Sequence, residues 1–158
     1  MYGPQFYIDY IRHFLVSHSR HGTHSPFVYR LVDEVIYAPV CKEEPRDKVE
    51  RLVGRLIRRF NPRTIFRTGD PLPLQPLDFV ITRNMDADTL AVQLQEFWLQ
   101  LHPNSVLVVN GIYRTRKMKE LWRTVQELTD VTVTIDLFYV GLVFFRTGQA
   151  KENFRIRF

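Results

Sequence analysis

The chain has 158 residues, a formal net charge of +5 and one cysteine. This length is typical of a single domain, and one cysteine excludes an intrachain disulfide and argues against a cysteine-based zinc site. No apolar run approaches the roughly 18 residues that a membrane span needs, and the first residues carry no cationic stretch followed by an unbroken apolar one. We therefore expect a cytoplasmic protein with no membrane association.

Three helices are predicted in the N-terminal part of the chain. The first covers residues 4–18 and has apolar residues at the spacing of a core-facing side. These residues are Phe6, Tyr7, Tyr10, Ile11, Phe14 and Leu15. Ser25 followed by Pro26 is typical of a capped helix start and predicts a second helix that ends near residue 37. The third helix covers residues 46–60.

From residue 64 the apolar pattern changes to that of an alternating α/β chain. Short strands are predicted at 64–68, 77–82 and 105–109, and helices at 86–102 and 114–128. The chain then ends with two strand-like runs joined tightly, at 131–138 and 140–146, and a short third run, KENFRIRF. Strand–helix–strand order predicts a sheet with parallel strands.

Three blocks of this sequence resemble a bacterial subfamily of the class I S-adenosylmethionine-dependent methyltransferases. They are residues 21–29 (HGTHSPFVY), residues 112–122 (IYRTRKMKELW) and residues 131–158. The fold of that family is a seven-stranded sheet whose last strand is antiparallel and inserted beside its neighbour. Residues 131–138 and 140–146 resemble the last two strands of this sheet.

The resemblance implies an α/β fold with a reduced, Rossmann-like methyltransferase sheet. We expect about five strands, the last one antiparallel, together with an N-terminal helical lobe. Residues 1–158 would then be a single methyltransferase-like domain, in which residues 1–60 are the lobe and residues 64–158 are the reduced sheet.

The sequence departs from the family after the first strand. Only DPLPLQP, residues 70–76, separates that strand from the next one, whereas a βαβ crossover takes at least about 10–12 residues. Its three prolines favour an extended polyproline conformation, in which seven residues span about 22 Å. A five-residue strand is about 17 Å long. We therefore predict that this segment runs back across the sheet and joins two parallel strands without a helix.

The missing part contains the family's cofactor-binding acids and glycine-rich turn. The resemblance therefore implies a degenerate methyltransferase-like protein without catalysis, which acts as a binding or assembly protein and for which we expect no cofactor. The alternative is an active methyltransferase that binds S-adenosylmethionine in a rebuilt pocket. The residues for that pocket would be Gly69, Asp70, Asp78, Asn110, Gly111 and Tyr113.

Loss of two central strands would expose the edge of the strand at 64–68, and an exposed edge has to be covered or paired. We expect the N-terminal helices or a second copy of the chain to cover it, and hence a homo-oligomer. Basic residues on the third and last helices could contact nucleic acid non-specifically, but the sequence has no recognition signature. We therefore favour solvated helix faces. These residues are Arg51, Arg55, Arg58, Arg59, Arg63, Arg114, Arg116, Lys117 and Lys119.

The remaining chemical side chains are histidines and strand carboxylates. His13, His18, His21 and His24 straddle a helix end and a loop, so we expect no shared metal-binding face and predict no metal site. Asp136 lies in a predicted strand, as Asp78 does, and could belong to a catalytic pair of acids. A carboxylate at such a place more often accepts a hydrogen bond from a neighbouring amide or basic side chain, which is the interpretation we favour.

Overall fold

The computed structural model describes residues 2–18 and 25–158. The chain forms three layers, with one mixed sheet between two layers of helices. The predicted α/β class is confirmed. His21 and His24, with the first four residues of the block at 21–29, lie outside the described residues.

The helices follow the predicted segments with small changes at their ends. They are α1 (Pro4–Val16), α2 (Pro26–Leu31), α3 (Lys48–Phe60), α4 (Ala87–Phe97) and α5 (Arg116–Glu127). A π-helical stretch, Val32–Ile36, continues α2, and a 3-10 turn, Trp98–Gln100, continues α4. Side-chain caps define four of the starts, since oxygen atoms accept hydrogen bonds from first-turn amides. The capping residues are Ser25, Asp47, Asp86 and Thr115.

Among the described residues the sheet has six strands, where the sequence predicts about five. They are β1 (Ile65–Arg67), β2 (Phe79–Ile81), β3 (Val106–Asn110), β4 (Val133–Asp136), β5 (Val140–Phe144) and β6 (Glu152–Arg155). Their order is β1-β2-β3-β5-β4-β6. The antiparallel strand is β5, inserted between β3 and β4. It is not the last strand, because the terminal run adds β6 parallel to β4.

The segment between β1 and β2 behaves as the prolines predict. These two strands pair in parallel, with Ile65 opposite Phe79 and Arg67 opposite Ile81. The intervening residues 70–76 contain no helix or strand. The predicted parallel connection without a helix is therefore confirmed, and an antiparallel hairpin at this point is excluded.

Each face of the sheet has its own apolar core. On one face α2, its π-helical continuation and α3 pack against β2 to β5 and the chain terminus. On the other face α4 and α5 pack against β1 to β3 and β5. The residues of α2 and α3 therefore share a core with the sheet. The strand β1 lies at the edge of the sheet, and its length of three residues is one way to limit pairing with another chain.

The prediction that the basic residues of α3 form a solvated helix face is wrong for Arg55. Its side chain is buried and donates to Glu44 Oε2 at 2.6 Å and to the backbone carbonyl groups of Val35, Ala38 and Pro39. Arg55 thereby satisfies carbonyl groups at the end of the α2 segment that have no helical partner.

The contact with Arg55 strongly lowers the pKa of Glu44. Hydrogen bonds from Arg55 and from the Cys41 amide lower the pKa of Glu44 to about 2. Since the folded-state pKa lies below the ordinary value, the pair stabilises the fold at neutral pH. That stabilisation is lost as the pH falls through the range between the two values.

Gly141 in β5 provides a test of the packing on the helical side of the sheet. A Cβ atom at this position would lie 2.4 Å from the indole ring of Trp122, which is buried, so the overlap has to be relieved by a shift within the core. We expect Gly141→Ala to lower the free energy of unfolding by about 1–3 kcal/mol, as measured by urea denaturation.

The matched control is Gly54→Ala. Gly54 lies inside α3, and a Cβ atom there meets nothing within 4 Å. Because alanine stabilises a helix interior relative to glycine, we expect the free energy of unfolding of this variant to rise by about 0.5–1 kcal/mol. Equal effects of the two substitutions would contradict the packing described for β5.

Candidate functional site

Five of the six residues predicted for a cofactor pocket follow the carboxyl ends of β1 and β3. Gly69 and Asp70 come after β1, Asn110 ends β3, and Gly111 and Tyr113 come after it. Both glycines have positive φ angles, +90° and +70°, a conformation that glycine adopts without strain. The structure therefore brings these residues to one edge of the sheet.

Asp78 does not belong to this edge. It immediately precedes β2 and so lies at the amino ends of the parallel strands. Its carboxylate accepts hydrogen bonds from the amides of Arg63 and Thr64 and from His102 Nε2. Burial acts to raise the pKa of Asp78, but these hydrogen bonds outweigh it and lower the pKa. Asp78 holds the start of the sheet together, which agrees with the interpretation favoured for such carboxylates.

Polar side chains at or just after the carboxyl ends of β1, β2 and β3 bond to the neighbouring strands, and we call this arrangement the closed carboxyl edge. The hydroxyl group of Thr68 accepts from the Arg83 amide at 2.7 Å, and that of Thr82 accepts from the Asn110 amide at 2.9 Å. The Asn110 side-chain amide donates to the Thr82 carbonyl group. Both threonines are fully buried. Polar groups that could contact a cofactor are thus bonded to neighbouring strands.

Charged side chains extend this closure outward. Arg83 Nη2 lies 2.6 Å from Asp70 Oδ1, so the carboxylate nearest to the first turn already has a cationic partner. Another nitrogen of the Arg83 guanidinium would lie 3.8 Å from a Cβ atom at Gly69. Arg114 donates to the carbonyl group of Met85 and so ties the loop after β3 to the loop after β2. The three loops contact one another where a cofactor would have to enter.

A second polar cluster lies at the carboxyl end of β4 and is built around the Asp136 carboxylate, which is 3% exposed. The carboxylate accepts from His13 Nε2 at 2.8 Å, from the Tyr113 hydroxyl at 2.8 Å and from the Phe138 amide at 3.0 Å. Arg155 Nε lies 3.6 Å away. The expectation that this carboxylate satisfies an amide and basic side chains is confirmed.

Two neighbours of Asp136 show what the cluster can do chemically. Burial, followed by the negative charge of Asp136, raises the pKa of Tyr113 above its ordinary value, so Tyr113 stays protonated and donates. Ser17 Oγ lies 2.9 Å from His13 Nδ1, which completes a serine–histidine–aspartate chain. However, the Ser17 hydroxyl also donates to the His13 carbonyl group and is buried. It is not presented as a nucleophile, and the cluster serves to attach α1 to the sheet.

Phe138 joins this cluster to the aromatic side chains of α1. Its ring stacks on Tyr113 with centroids 4.7 Å apart and meets Phe6, Tyr10 and His13 edge-on at 4.9–5.5 Å. Its φ angle is +68°, a conformation that is rare for a bulky residue. The bond from the Phe138 amide to Asp136 holds this turn in place, so the β4–β5 turn and the attachment of α1 depend on the same carboxylate.

The fully buried side chains of α1 are polar, although Phe6 and Tyr10 also contact the Phe138 ring. The predicted inward orientation is therefore wrong for most of the apolar side but holds for Phe6. Asp9 and His13 are the buried residues of α1, and Ser17 is its buried C-cap. Asp9 bonds to Lys119 of α5 at 2.5 Å and to Gln5 at 3.1 Å. Burial acts to raise the pKa of Asp9, but the hydrogen bonds from Lys119 and Gln5 lower it overall. These charged contacts replace the apolar contacts that the helical spacing predicts.

The apolar side of α1 points to solvent as a consequence. Seven large apolar side chains of α1 are exposed, and we call the six that share one side of the helix the outer face of α1: Tyr7 (56%), Ile8 (45%), Tyr10 (37%), Ile11 (58%), Phe14 (43%) and Leu15 (73%). At about 100° per residue these positions span an arc of roughly 160°. The seventh, Val16 (53%), lies on a different side of the helix. Asp9 and His13 lie outside that arc. Sequence periodicity finds the arc, but it does not find the partners of Asp9 and His13, which lie more than 100 residues away.

The predicted basic stripes are largely neutralised by acidic neighbours. Six of the nine residues form ion pairs, with Glu44, Glu34, Glu120, Asp88 and Asp9 as partners. These pairings support the helix-face interpretation over nucleic-acid contacts. In the described part of the chain no three histidine, cysteine or acidic side chains gather as metal ligands. No helix among the described residues is long and apolar enough to cross a membrane.

The chain was compared with protein-family models, with curated proteins and with solved structures. None of the three comparisons finds a match. The two polar clusters and the outer face of α1 are therefore the features from which a function can be inferred.

The Asp136 cluster can be tested by substitution. Removal of the carboxylate in Asp136→Ala leaves the buried groups of His13 and Tyr113 without their acceptor. We therefore expect the free energy of unfolding, measured by urea denaturation, to fall by about 3–5 kcal/mol. We also expect faster hydrogen exchange of the α1 amides in denaturant-free buffer, because α1 loses its attachment.

The control for this experiment is Asp88→Ala. Asp88 pairs with Lys117, but both side chains are about three-quarters exposed. The free energy of unfolding should therefore fall by no more than about 1 kcal/mol. Unchanged exchange of the α1 amides in Asp136→Ala would show that the carboxylate does not hold this helix.

Proposed function

We propose that this protein is a degenerate relative of the class I S-adenosylmethionine-dependent methyltransferases, without catalysis, that acts as a binding or assembly protein. The proposal has two parts, the loss of the cofactor site and the gain of a contact surface. The observation that carries it is the closed carboxyl edge of β1, β2 and β3.

The strand arrangement supports the proposed ancestry. In the methyltransferase sheet the last strand is antiparallel and is inserted beside its neighbour. Here β5 is antiparallel and lies between β3 and β4, while β1, β2 and β3 are parallel. Residues 70–76 stand where the family has two further strands and their helices. A reduced Rossmann-like sheet accounts for both features.

The closed edge supports the loss of cofactor binding. In open α/β sheets ligands bind in the crevice outside the carboxyl ends of the strands. In this protein Thr68, Thr82 and Asn110 bond to one another's strands there, and Arg83 neutralises Asp70. At this edge S-adenosylmethionine would meet Asp70 already paired with Arg83, and Asp78 lies at the opposite end of the strands.

The outer face of α1 supports a binding or assembly role. Large exposed apolar patches on soluble proteins mark sites of contact with other molecules. Here six such side chains lie on one helix whose opposite side is fixed by charged contacts. We infer that the scaffold has kept its fold while its function has moved from the strand ends to this surface.

Isothermal titration calorimetry with S-adenosylmethionine and with S-adenosylhomocysteine tests the loss of cofactor binding. We expect no saturable heat at ligand concentrations up to about 1 mM, a range that detects a Kd of that order. A shift in Tm on adding either ligand gives an independent readout, since a ligand that binds only the folded state stabilises it.

Saturable heat would support the alternative, an active methyltransferase with a rebuilt pocket. In that case Asn110→Ala should abolish the heat, because Asn110 ends β3 at the closed edge and bonds to Thr82. Asp78→Asn should leave it unchanged, because Asp78 lies at the opposite end of the sheet.

A further inference from the structure

The outer face of α1 cannot be buried by a simple rotation of the helix on its own protein. Such a rotation would break the bonds of His13 to Asp136 and of Asp9 to Lys119 and leave buried charges unpaired, which is strongly unfavourable. It would also remove His13 and Tyr10 from the ring of Phe138. The Arg157 guanidinium lies over one face of the Phe14 ring, 4.0 Å from its centroid, and Tyr10 contacts Phe138, but large parts of the outer-face side chains are still exposed. We infer that these exposed parts are available to another molecule.

We propose that this molecule is a second copy of the chain, and that α1 of one protomer packs against α1 of its partner about a two-fold axis. This inference rests on the proposed assembly role and names its partner. In an isologous interface the same surface patch lies on both sides, so the patch has to be complementary to itself.

The outer face has this property because it contains only uncharged apolar and aromatic side chains. Tyr7, Ile11 and Phe14 follow one another at spacings of four and three residues, which is the spacing of a helix–helix seam. Ile8 and Leu15 flank that seam. An antiparallel pair of these helices would also place the positive end of one helix dipole beside the negative end of the other.

The available area matches what a stable dimer needs. Tyr2 and Tyr139 extend the patch, since Tyr2 stacks on Phe6 and Tyr139 lies beside Phe6 and Tyr10. Large side chains expose roughly 150–250 Å² when free, so eight that are about half exposed offer on the order of 800 Å² per protomer. Burial of even three-quarters of this area on both protomers reaches the roughly 1,200 Å² at which specific interfaces begin.

A lipid surface fits these observations less well. Helices that lie in a membrane interface carry lysines and arginines on a polar side that stays in water. The polar side of α1 is instead turned toward the protein, and Arg12 is the only exposed basic residue on this helix. Arg12, together with the Arg157 guanidinium over the Phe14 ring, does not make the lysine- and arginine-rich polar side that such a helix carries.

Sedimentation velocity of the full chain at micromolar concentrations tests the proposal. We expect the wild-type protein to sediment as a dimer and Ile11→Glu to sediment as a monomer, because glutamate would place two charges at the centre of the seam. The far-ultraviolet circular dichroism of this variant should be unchanged, since Ile11 is 58% exposed.

Val92→Glu is the matched control. Val92 is 55% exposed on α4, and the same substitution there should leave the dimer intact. A monomeric wild-type protein, or an Ile11→Glu variant that is still dimeric, would overturn the proposal. Flotation with phosphatidylserine vesicles separates the lipid alternative: binding by a monomeric wild-type protein that is lost in Ile11→Glu would identify a membrane surface instead.

The same samples keep this inference distinct from the proposed function. If the protein is a monomer and gives no heat with S-adenosylmethionine, the proposed dimer is wrong and the proposed loss of cofactor binding is supported. If it is a dimer and gives saturable heat, the proposed loss of cofactor binding is wrong and the proposed α1 interface is supported.

Discussion

The buried carboxylate of Asp136 is the constraint on which the rest of this structure depends. A buried charge is tolerated only where other groups pair with it, and Asp136 finds its partners on three separate segments. His13 lies on α1, Tyr113 lies on the loop after β3, and the Phe138 amide lies in the β4–β5 turn. One side chain thereby sets the position of α1 and the conformation of the turn that leads into β5, which runs antiparallel to its neighbours.

The position of α1 determines what the protein can contact. Because His13 and Asp9 face inward, the aromatic and aliphatic side chains of the same helix face outward. At the same time the strand ends that hold a ligand in related architectures are occupied by Thr68, Thr82 and Asn110. The polar groups at that edge are bonded to neighbouring strands, and an apolar surface lies at α1. This combination supports the proposed role in assembly.

Much of the fold could be predicted from the sequence, because local signals were strong. Caps such as Ser25 and Asp86 mark helix starts, and the prolines of residues 70–76 predict a parallel connection without a helix, as the structure has it. The orientation of α1 and the burial of Arg55 could not be predicted, since a helical period defines an apolar side but not the distant partners that decide which side is buried. The displacement of Asp78 from the other site residues did have a signal, because it precedes its strand.

Nuclear Overhauser contacts of the His13 ring test the central claim, that α1 is attached through its polar side, most directly. The His13 ring centre lies 5.8 Å from that of Tyr113 and 5.5 Å from that of Phe138, so its protons should show contacts to both aromatic rings. Contacts from the methyl groups of Ile11 and Leu15 to the buried Phe138 ring, with none from His13, would mean that the helix packs through its apolar side and would contradict the account.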